Sequence, residues 1–162
     1  MRRAFGKAIM ELGEAHPELV LVTGDVEQEM SAFKAKWPVR FFNFGTCEQS
    51  IMSICGGMAC EGLRPVFYSI TPFVLERPFE QIKIDIDEQN LPVLLIGYSD
   101  YPHHGPTHTP LNVNRLTMCF KNMCCFFPVD QDSAYGSIKI AFEQKHPAFV
   151  SLKRAHENLH RQ

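Results

Sequence analysis

The chain is organised around the stretch Phe41-Phe42-Asn43-Phe44-Gly45-Thr46-Cys47-Glu48-Gln49-Ser50. Its three phenylalanines predict a buried strand that ends at Gly45, and Thr46 is placed to cap the helix that follows. Glu48 then falls in the first turn of that helix, where the helix dipole favours a carboxylate. Apolar residues cover nearly every side of this helix as far as Ala59, so we expect Glu48 to lie inside the protein.

Two interpretations of Glu48 remain open at this point. An acid in a first turn is most often an ordinary residue, either solvated or part of a helix cap. The alternative is a functional carboxylate, since a titratable group held in a dry, tightly packed place is typical of a site. The pair Gly56-Gly57 in the same helix favours the second interpretation. Each glycine costs on the order of 1 kcal/mol relative to alanine, which close approach of another backbone, such as that of a second subunit, usually offsets.

The composition is ordinary for a soluble globular domain, with 45% hydrophobic and 21% charged residues. The length of 162 residues suits a single domain with a sizeable core, and we assign 1–162 to one domain. The net charge of −2 gives no reason to expect nucleic acid or an anionic membrane as a partner. No apolar run reaches the ~20 residues that span a bilayer, and the N-terminal sequence lacks a signal peptide, so we expect a cytoplasmic protein.

Strands and helices alternate along the chain. We predict strands over 19–23, 40–44, 65–70, 93–97, 122–127 and 148–152, and helices over 2–15, 28–36, 48–61, 72–88, 111–118 and 131–145. This alternation with short connections is typical of an α/β fold, a mostly parallel sheet covered by helices on both faces. Ligands of such sheets bind beyond the carboxyl ends of the strands. We therefore expect one edge of the sheet to gather Asp25, Glu48, residues 71–73 and the loop 98–110.

The loop 98–110 holds three histidines, His103, His104 and His108. A metal could be shared by His103, His108 and a carboxylate such as Asp100, but this spacing matches no metal-binding motif. The other interpretations are a solvated loop and histidines that bind or protonate a ligand. The sequence contains no glycine-rich phosphate loop, so the phosphates of any phosphorylated cofactor need ligands from elsewhere.

The six cysteines lie in apolar segments and form no Cys-x-x-Cys pair. This arrangement favours buried thiols over a zinc or redox site. Cys47 could be read as a nucleophile because it precedes Glu48, but the sequence places no basic partner beside it. Free thiols agree with the expected cytoplasmic location.

Three motifs, in order along the chain, resemble the pyrimidine-binding domain of transketolase-type enzymes. They are the segment 41–49 with its Glu-Gln pair, the segment Leu75 to Ile82, and the Gly-Pro-Thr-His sequence at 105–108. The same domain type occurs in transketolase, deoxyxylulose-phosphate synthase and the beta subunits of pyruvate dehydrogenase-like enzymes. The N-terminal helix and the strand that leads to Asp25 also fit, so the resemblance covers nearly all of 1–155.

The resemblance implies thiamine diphosphate and magnesium as cofactors. Glu48 corresponds to the acid that bonds N1′ of the aminopyrimidine and so activates the cofactor. His108 corresponds to a catalytic residue on the substrate side, where His103 and His104 would also bind substrate. His104 replaces an acid that reads substrate hydroxyls in the family, which points to a substrate other than the common sugar phosphates.

The resemblance also implies a cofactor-binding role for Asp25 and for an aromatic ring that stacks on the pyrimidine. Gapless alignment places Val74 at the position of that ring, and we assign the role to the neighbouring Phe73. The register of this position is therefore a departure from the family pattern.

The largest departure is the missing diphosphate-binding half, with its Gly-Asp-Gly and Asn metal motif, and the domain that normally follows the pyrimidine domain. We therefore expect either a fragment or the C-terminal-type subunit of a split transketolase. The magnesium ligands would lie on a diphosphate-binding transketolase-like partner, in a homodimer or a heterotetramer. The expected reaction is ketol or aldehyde transfer, or decarboxylation of a 2-oxo acid, on a small-molecule substrate. The alternative is a non-catalytic homologue that acts as an assembly or regulatory partner.

Overall fold

The computed structural model describes residues 1–98 and 105–153. Its strands are β1 (Leu19–Thr23), β2 (Phe41–Asn43), β3 (Arg64–Ile70), β4 (Leu94–Tyr98), β5 (Cys124–Phe126) and β6 (Ala148–Leu152). They form one sheet in the order β2-β1-β3-β4-β6-β5. Every pairing in it is parallel, so the predicted parallel sheet is confirmed.

Helices cover both faces of this sheet. They are α1 (Arg2–Ala15), α2 (Ser31–Lys36), α3 (Glu48–Cys60), α4 (Phe79–Gln81), α5 (Val113–Thr117) and α6 (Gln131–Glu143). One apolar cluster joins α1, α2 and α6 to the sheet, and a second joins α3 and the segment after β3 to the opposite face. Within 1–98 and 105–153, no helix is both long and apolar enough to cross a lipid bilayer.

The order of the strands creates a crevice at the carboxyl ends of β1 and β3. β2, the next strand along the chain, pairs with one side of β1, and β3 pairs with the other side of β1. Neighbouring connections that depart in opposite directions leave an opening between them, and this switch point is where open α/β sheets bind ligands. The residues that follow these strands are therefore the ones to examine for function.

The predicted continuous helix over 72–88 is wrong. Two π-helical segments, Pro72–Glu76 and Ile82–Asp87, flank the short α4. The backbone N–H of Arg77 donates to the carbonyl of Pro72, five residues earlier, which defines a π turn. Pro78 then interrupts the helix because it has no N–H to donate. Such wide turns often occur at functional sites.

Thr46 does not cap α3 as predicted. The cap position belongs to Cys47, and no side chain makes the capping hydrogen bond there. Gly45 has a φ of +76°, which turns the chain sharply after β2 and leaves Thr46 one residue too early. Asp130 caps α6, because its side chain accepts from the backbone N–H of Ser133.

The two glycines of α3 have different surroundings. A Cβ on Gly56 would lie 2.7 Å from the backbone oxygen of Asp85, whereas a Cβ on Gly57 would meet no atom within 4 Å. Close backbone approach is therefore confirmed for Gly56, but it occurs against the second π-helical segment of the same chain. Gly57 is exposed between the half-buried Ile54 and Met58, which leaves a small apolar surface on α3.

Candidate active site

Four side chains from three separate connections meet at the carboxyl edge of the sheet. Glu48 begins α3, Phe73 and Arg77 belong to the π turn after β3, and His108 follows β4. Nη1 of Arg77 donates to Oε1 of Glu48 over 2.8 Å, and Cζ of Arg77 lies 3.7 Å from the centroid of the Phe73 ring. The rings of Phe73 and His108 meet edge to face, with centroids 5.0 Å apart. We call these four residues the Glu48 cluster.

Glu48 lies inside the protein, as predicted from the sequence, and is 7% exposed. Its Oε1 accepts from Arg77, while no described residue donates to Oε2. A cavity of about 360 Å³ adjoins the carboxylate, and its lining is formed by Thr46, Cys47, Glu48, Gln49, Ser50 and Arg77. A ligand in this cavity can reach a carboxylate that is already oriented by one charge-assisted hydrogen bond.

Phe73 and Val74 point into different parts of the molecule. Phe73 is 4% exposed and contacts Arg77 and His108. Val74 is fully buried in the apolar cluster on the α3 face of the sheet. Of the two candidates for the aromatic position, Phe73 is therefore the one that belongs to the Glu48 cluster.

His108 is half-buried and links the cluster to a second cavity. The Thr107 hydroxyl lies 2.9 Å from its Nδ1, so Nε2 is the ring nitrogen left for a ligand among the described contacts. The second cavity measures about 500 Å³ and is lined by Arg2, Asp25, Val26, Glu27, Gln28, Ile70, Tyr98 and His108. Two cavities therefore adjoin the cluster, one beside Glu48 and one beside His108.

The predicted site residues are only partly brought together. Glu48, Phe73 and His108 share the cluster, whereas Asp25 lies at the switch point and shares only the second cavity with His108. His103 and His104 lie outside the described residues. The metal interpretation also needs Asp100, which lies outside them too. Within the described residues, no three His, Cys, Asp or Glu side chains form a group that could hold a metal ion.

Sequence reasoning missed Arg77. Its signal was the spacing of four residues from Phe73, which places both side chains on one face of a helical turn. Its partner Glu48 lies 29 residues earlier, and no local sequence pattern predicts that ion pair.

The prediction of buried cysteines is confirmed for Cys55 and wrong for Cys60 and Cys119, which are exposed. Burial raises the pKa of the Cys55 thiol to about 12, so it stays protonated at neutral pH. Cys47 is half-buried, and its Sγ lies 3.3 Å from the carbonyl oxygen of Phe44. No ionic base contacts Cys47 among the described residues, which leaves the nucleophile interpretation without support.

Comparison with curated proteins finds relatives that are much longer than this chain. The 1-deoxy-D-xylulose-5-phosphate synthase of Albidiferax ferrireducens is 30% identical over 161 residues, which cover 94% of this chain and 24% of that protein. The enzyme of the same name from Carboxydothermus hydrogenoformans is 38% identical over 110 residues, covering 62% of this chain and 18% of that protein. The chain thus spans about a quarter of the length of the relatives that match it over nearly its whole length.

Comparison with solved structures gives the same domain. A split gene transketolase, solved as an inactive beta4 tetramer, superposes with a TM-score of 0.86 at 30% identity, covering 95% of this chain and 50% of that one. Transketolase from Leishmania mexicana superposes with a TM-score of 0.82 at 21% identity, over 95% of this chain and 25% of that one, and shows the shared fold. The sequence profile described as "Transketolase, pyrimidine binding domain" matches residues 1–158. The chain therefore belongs to the transketolase pyrimidine-binding domain family.

Proposed function

We propose that this chain is the pyrimidine-binding subunit of a split, thiamine-diphosphate-dependent transketolase-like enzyme. The observation that carries the proposal is the buried Glu48 carboxylate, which stands beside a cavity and an aromatic ring at the carboxyl edge of the sheet. The 30% identical split gene transketolase supports the division into subunits. In this proposal residues 1–162 form one domain, and the enzyme works in the cytoplasm.

The cluster fits the aminopyrimidine of the cofactor but not its magnesium diphosphate. Oε2 of Glu48 has no donor among the described residues and can bond to N1′ of the pyrimidine. No described group of three His, Cys, Asp or Glu side chains is suited to a metal, and the sequence has no glycine-rich phosphate loop. The diphosphate and Mg²⁺ would therefore be held by a diphosphate-binding transketolase-like partner.

In this proposal, Glu48, Phe73 and His108 have different roles around the cofactor. When bound, thiamine diphosphate supplies a carbanion at C2 that adds to a substrate carbonyl. Glu48 would hold N1′ through a shared proton, an interaction that is stronger in a dry site than in water, and would thereby support removal of the C2 proton. Phe73 orients the pyrimidine ring, and His108 binds the substrate or moves a proton on its oxygen.

The reaction class is ketol or aldehyde transfer, or decarboxylation of a 2-oxo acid. The relatives named 1-deoxy-D-xylulose-5-phosphate synthase and the split gene transketolase support this class. The alternative function, a non-catalytic assembly or regulatory subunit, is favoured by one observation. Arg77 already occupies Oε1 of Glu48 and one face of Phe73. The variants below distinguish the two functions.

His108→Ala tests the proposed division of roles. In the complex with the partner subunit, we expect turnover to fall by about 10²-fold or more, as is typical when a positioned acid or base is removed. Affinity for thiamine diphosphate should change less than about twofold, because His108 contacts Phe73 only by its ring edge. Turnover is measured with a panel of 2-oxo acids and ketose phosphates, and affinity by calorimetry.

The matched control is His146→Ala, which removes an exposed imidazole that pairs with Asn90 before β6, at the opposite edge of the sheet. It should change neither quantity. A tenfold loss of cofactor affinity in His108→Ala, about 1.4 kcal/mol, with turnover preserved would reverse the assignment of His108 to the substrate side.

Gly57→Leu tests whether the apolar surface of α3 is a subunit interface. The new side chain meets no atom of this chain within 4 Å of its Cβ, and leucine is a better helix former than glycine. We therefore expect the free energy of unfolding to be unchanged or slightly raised. Assembly should weaken by about 1–3 kcal/mol, the usual effect of overpacking a fitted contact. Sedimentation velocity measures assembly, and urea unfolding measures stability.

Gly56→Leu is the opposite control within the same pair of glycines. Its Cβ would lie 2.7 Å from the backbone oxygen of Asp85, so this substitution should lower the stability of the fold itself. Unchanged assembly of Gly57→Leu would show that this surface of α3 faces solvent in the complex.

A further inference from the structure

The guanidinium of Arg77 contacts the same two side chains, Glu48 and Phe73, that the proposed function assigns to the aminopyrimidine ring. It donates to Glu48 over 2.8 Å, and its Cζ lies 3.7 Å from the centroid of Phe73. A guanidinium is planar, carries its N–H groups at its edge and stacks on aromatic faces. An aminopyrimidine that is protonated at N1′ is also planar, and it offers a carboxylate an N–H donor at its edge.

The guanidinium of Arg77 and the aminopyrimidine ring would compete for the same space beside Phe73. Arg77 covers a face of Phe73, and His108 meets the same ring at an interplanar angle of 68°. These contacts leave Phe73 4% exposed. A ring that stacks on Phe73 and bonds to Glu48 therefore needs the volume that the guanidinium fills.

Arg77 is able to leave this place without a change in the fold. Its side chain is 38% exposed, compared with 9% for the side chain of Glu48, and it borders the cavity of about 360 Å³. Its guanidinium is held by one hydrogen bond to Glu48 and by stacking on the Phe73 ring. Rotation about the side-chain bonds moves the guanidinium into solvent, provided that a ligand then takes over the buried carboxylate, because an unpaired buried charge is strongly unfavourable.

We propose that Arg77 occupies the aminopyrimidine position in the unassembled chain, and that cofactor binding exchanges its guanidinium for the pyrimidine ring. This proposal rests on the proposed function and adds a form of regulation to the same site. The exchange keeps Glu48 paired and Phe73 covered in both states. It also defines the ligand class of the site, which is a flat, amidine-like group with N–H donors or a positive charge at its edge.

The test uses Arg77→Ala in the isolated chain, with 4-amino-2-methylpyrimidine as the probe. This probe has the ring and the amino group but no diphosphate, so it needs no partner subunit. We expect the dissociation constant, measured by NMR titration, to be at least about tenfold lower than that of the wild-type chain, or about 1.4 kcal/mol. Lys83→Ala is the matched control, because Lys83 is an exposed cation whose nearest acidic partner is Glu88 at 3.9 Å. It should leave the affinity unchanged.

A second measurement uses guanidinium chloride at millimolar concentration. In Arg77→Ala, free guanidinium should compete with the pyrimidine, because the place of the missing side chain is open. In the wild-type chain, labelled with ¹⁵N at arginine side chains, the Arg77 signal should shift toward that of a solvated guanidinium when the probe saturates the site. This shift of the Arg77 signal is measured in the wild-type chain, so it does not depend on the folding of a variant.

The outcomes separate this inference from the proposed function. The exchange is overturned if Arg77→Ala binds the pyrimidine no more tightly than the wild-type chain does. It is also overturned if binding to Arg77→Ala is not detected. If Glu48→Gln still impairs cofactor activation in the complex, only the inference has failed. If Glu48→Gln leaves both cofactor activation and pyrimidine affinity unchanged, the proposed function has failed as well.

Discussion

Addition of a diphosphate-binding transketolase-like subunit is expected to tighten the binding of thiamine diphosphate and Mg²⁺ by about 100-fold or more. The physical reason is the division of ligands between the subunits. This chain offers the pyrimidine a carboxylate and a ring, but its described residues offer the magnesium ion no cluster of ligands. A 100-fold change corresponds to about 2.7 kcal/mol, a modest share of what two phosphates and a divalent cation contribute when they are properly coordinated.

Calorimetric titration of the cofactor into the isolated chain, the partner and their mixture measures this effect. The same samples give the rate of exchange of the C2 proton of the cofactor in deuterated buffer, which needs no knowledge of the substrate. We expect exchange at the rate of the free cofactor with the isolated chain and faster exchange with the mixture. Tight binding and fast exchange with the pure chain alone would show that no partner is needed.

The central strands of the fold could be predicted because their sequence is unambiguous. The run from Leu19 to Thr23 is apolar throughout, and β1 occupies the predicted residues with all five buried. Gly62 follows the end of α3 with a φ of +84°, a conformation that costs glycine little, so glycine at this place is a readable helix stop. In both cases the local preference of the residues agrees with their surroundings in the folded chain.

The interruption of the helix after β3 could not be predicted from apolar spacing. The apolar side chains of the predicted helix over 72–88 include Ile82, Ile84 and Ile86. In the structure, Ile82 and Ile86 are fully buried, while Ile84 is 46% exposed. Side chains two residues apart point to different sides of a helical turn, and the π turns of this segment are fixed by backbone contacts that an apolar count does not contain.

The candidate site was predicted in its parts but not in its internal contacts. The predicted parallel sheet and the carboxyl-edge rule lead from the sequence to Glu48, the segment 71–73 and the loop that holds His108. The ion pair between Glu48 and Arg77 joins two connections of the sheet, and its geometry depends on the π turn after β3. A contact of this kind is set by tertiary packing, so no local sequence pattern predicts it. In the proposed exchange, this ion pair holds the guanidinium over Phe73 until the cofactor binds.

Glu48→Gln is expected to slow exchange of the C2 proton in the assembled enzyme by roughly 10²–10⁴-fold, the range typical of removing a positioned acid or base. Glutamine keeps the size of the side chain, and its amide oxygen can still accept the hydrogen bond from Arg77. The fold and the assembly should therefore survive. In the proposed function Glu48 would share a carboxyl proton with N1′, and glutamine has no such proton to share.

Proton exchange is the decisive measurement because it precedes the binding of any substrate. Glu61→Gln is the matched control, since it makes the same chemical change at an exposed position at the other end of α3, and it should leave the exchange rate unchanged. If Glu48 served only to complement the helix dipole, Glu48→Gln would lower stability by about 0.3–1 kcal/mol and exchange would continue at the wild-type rate. An unaltered rate in a correctly assembled complex would thus assign Glu48 to the stability of α3 and remove the main support for catalysis by this chain.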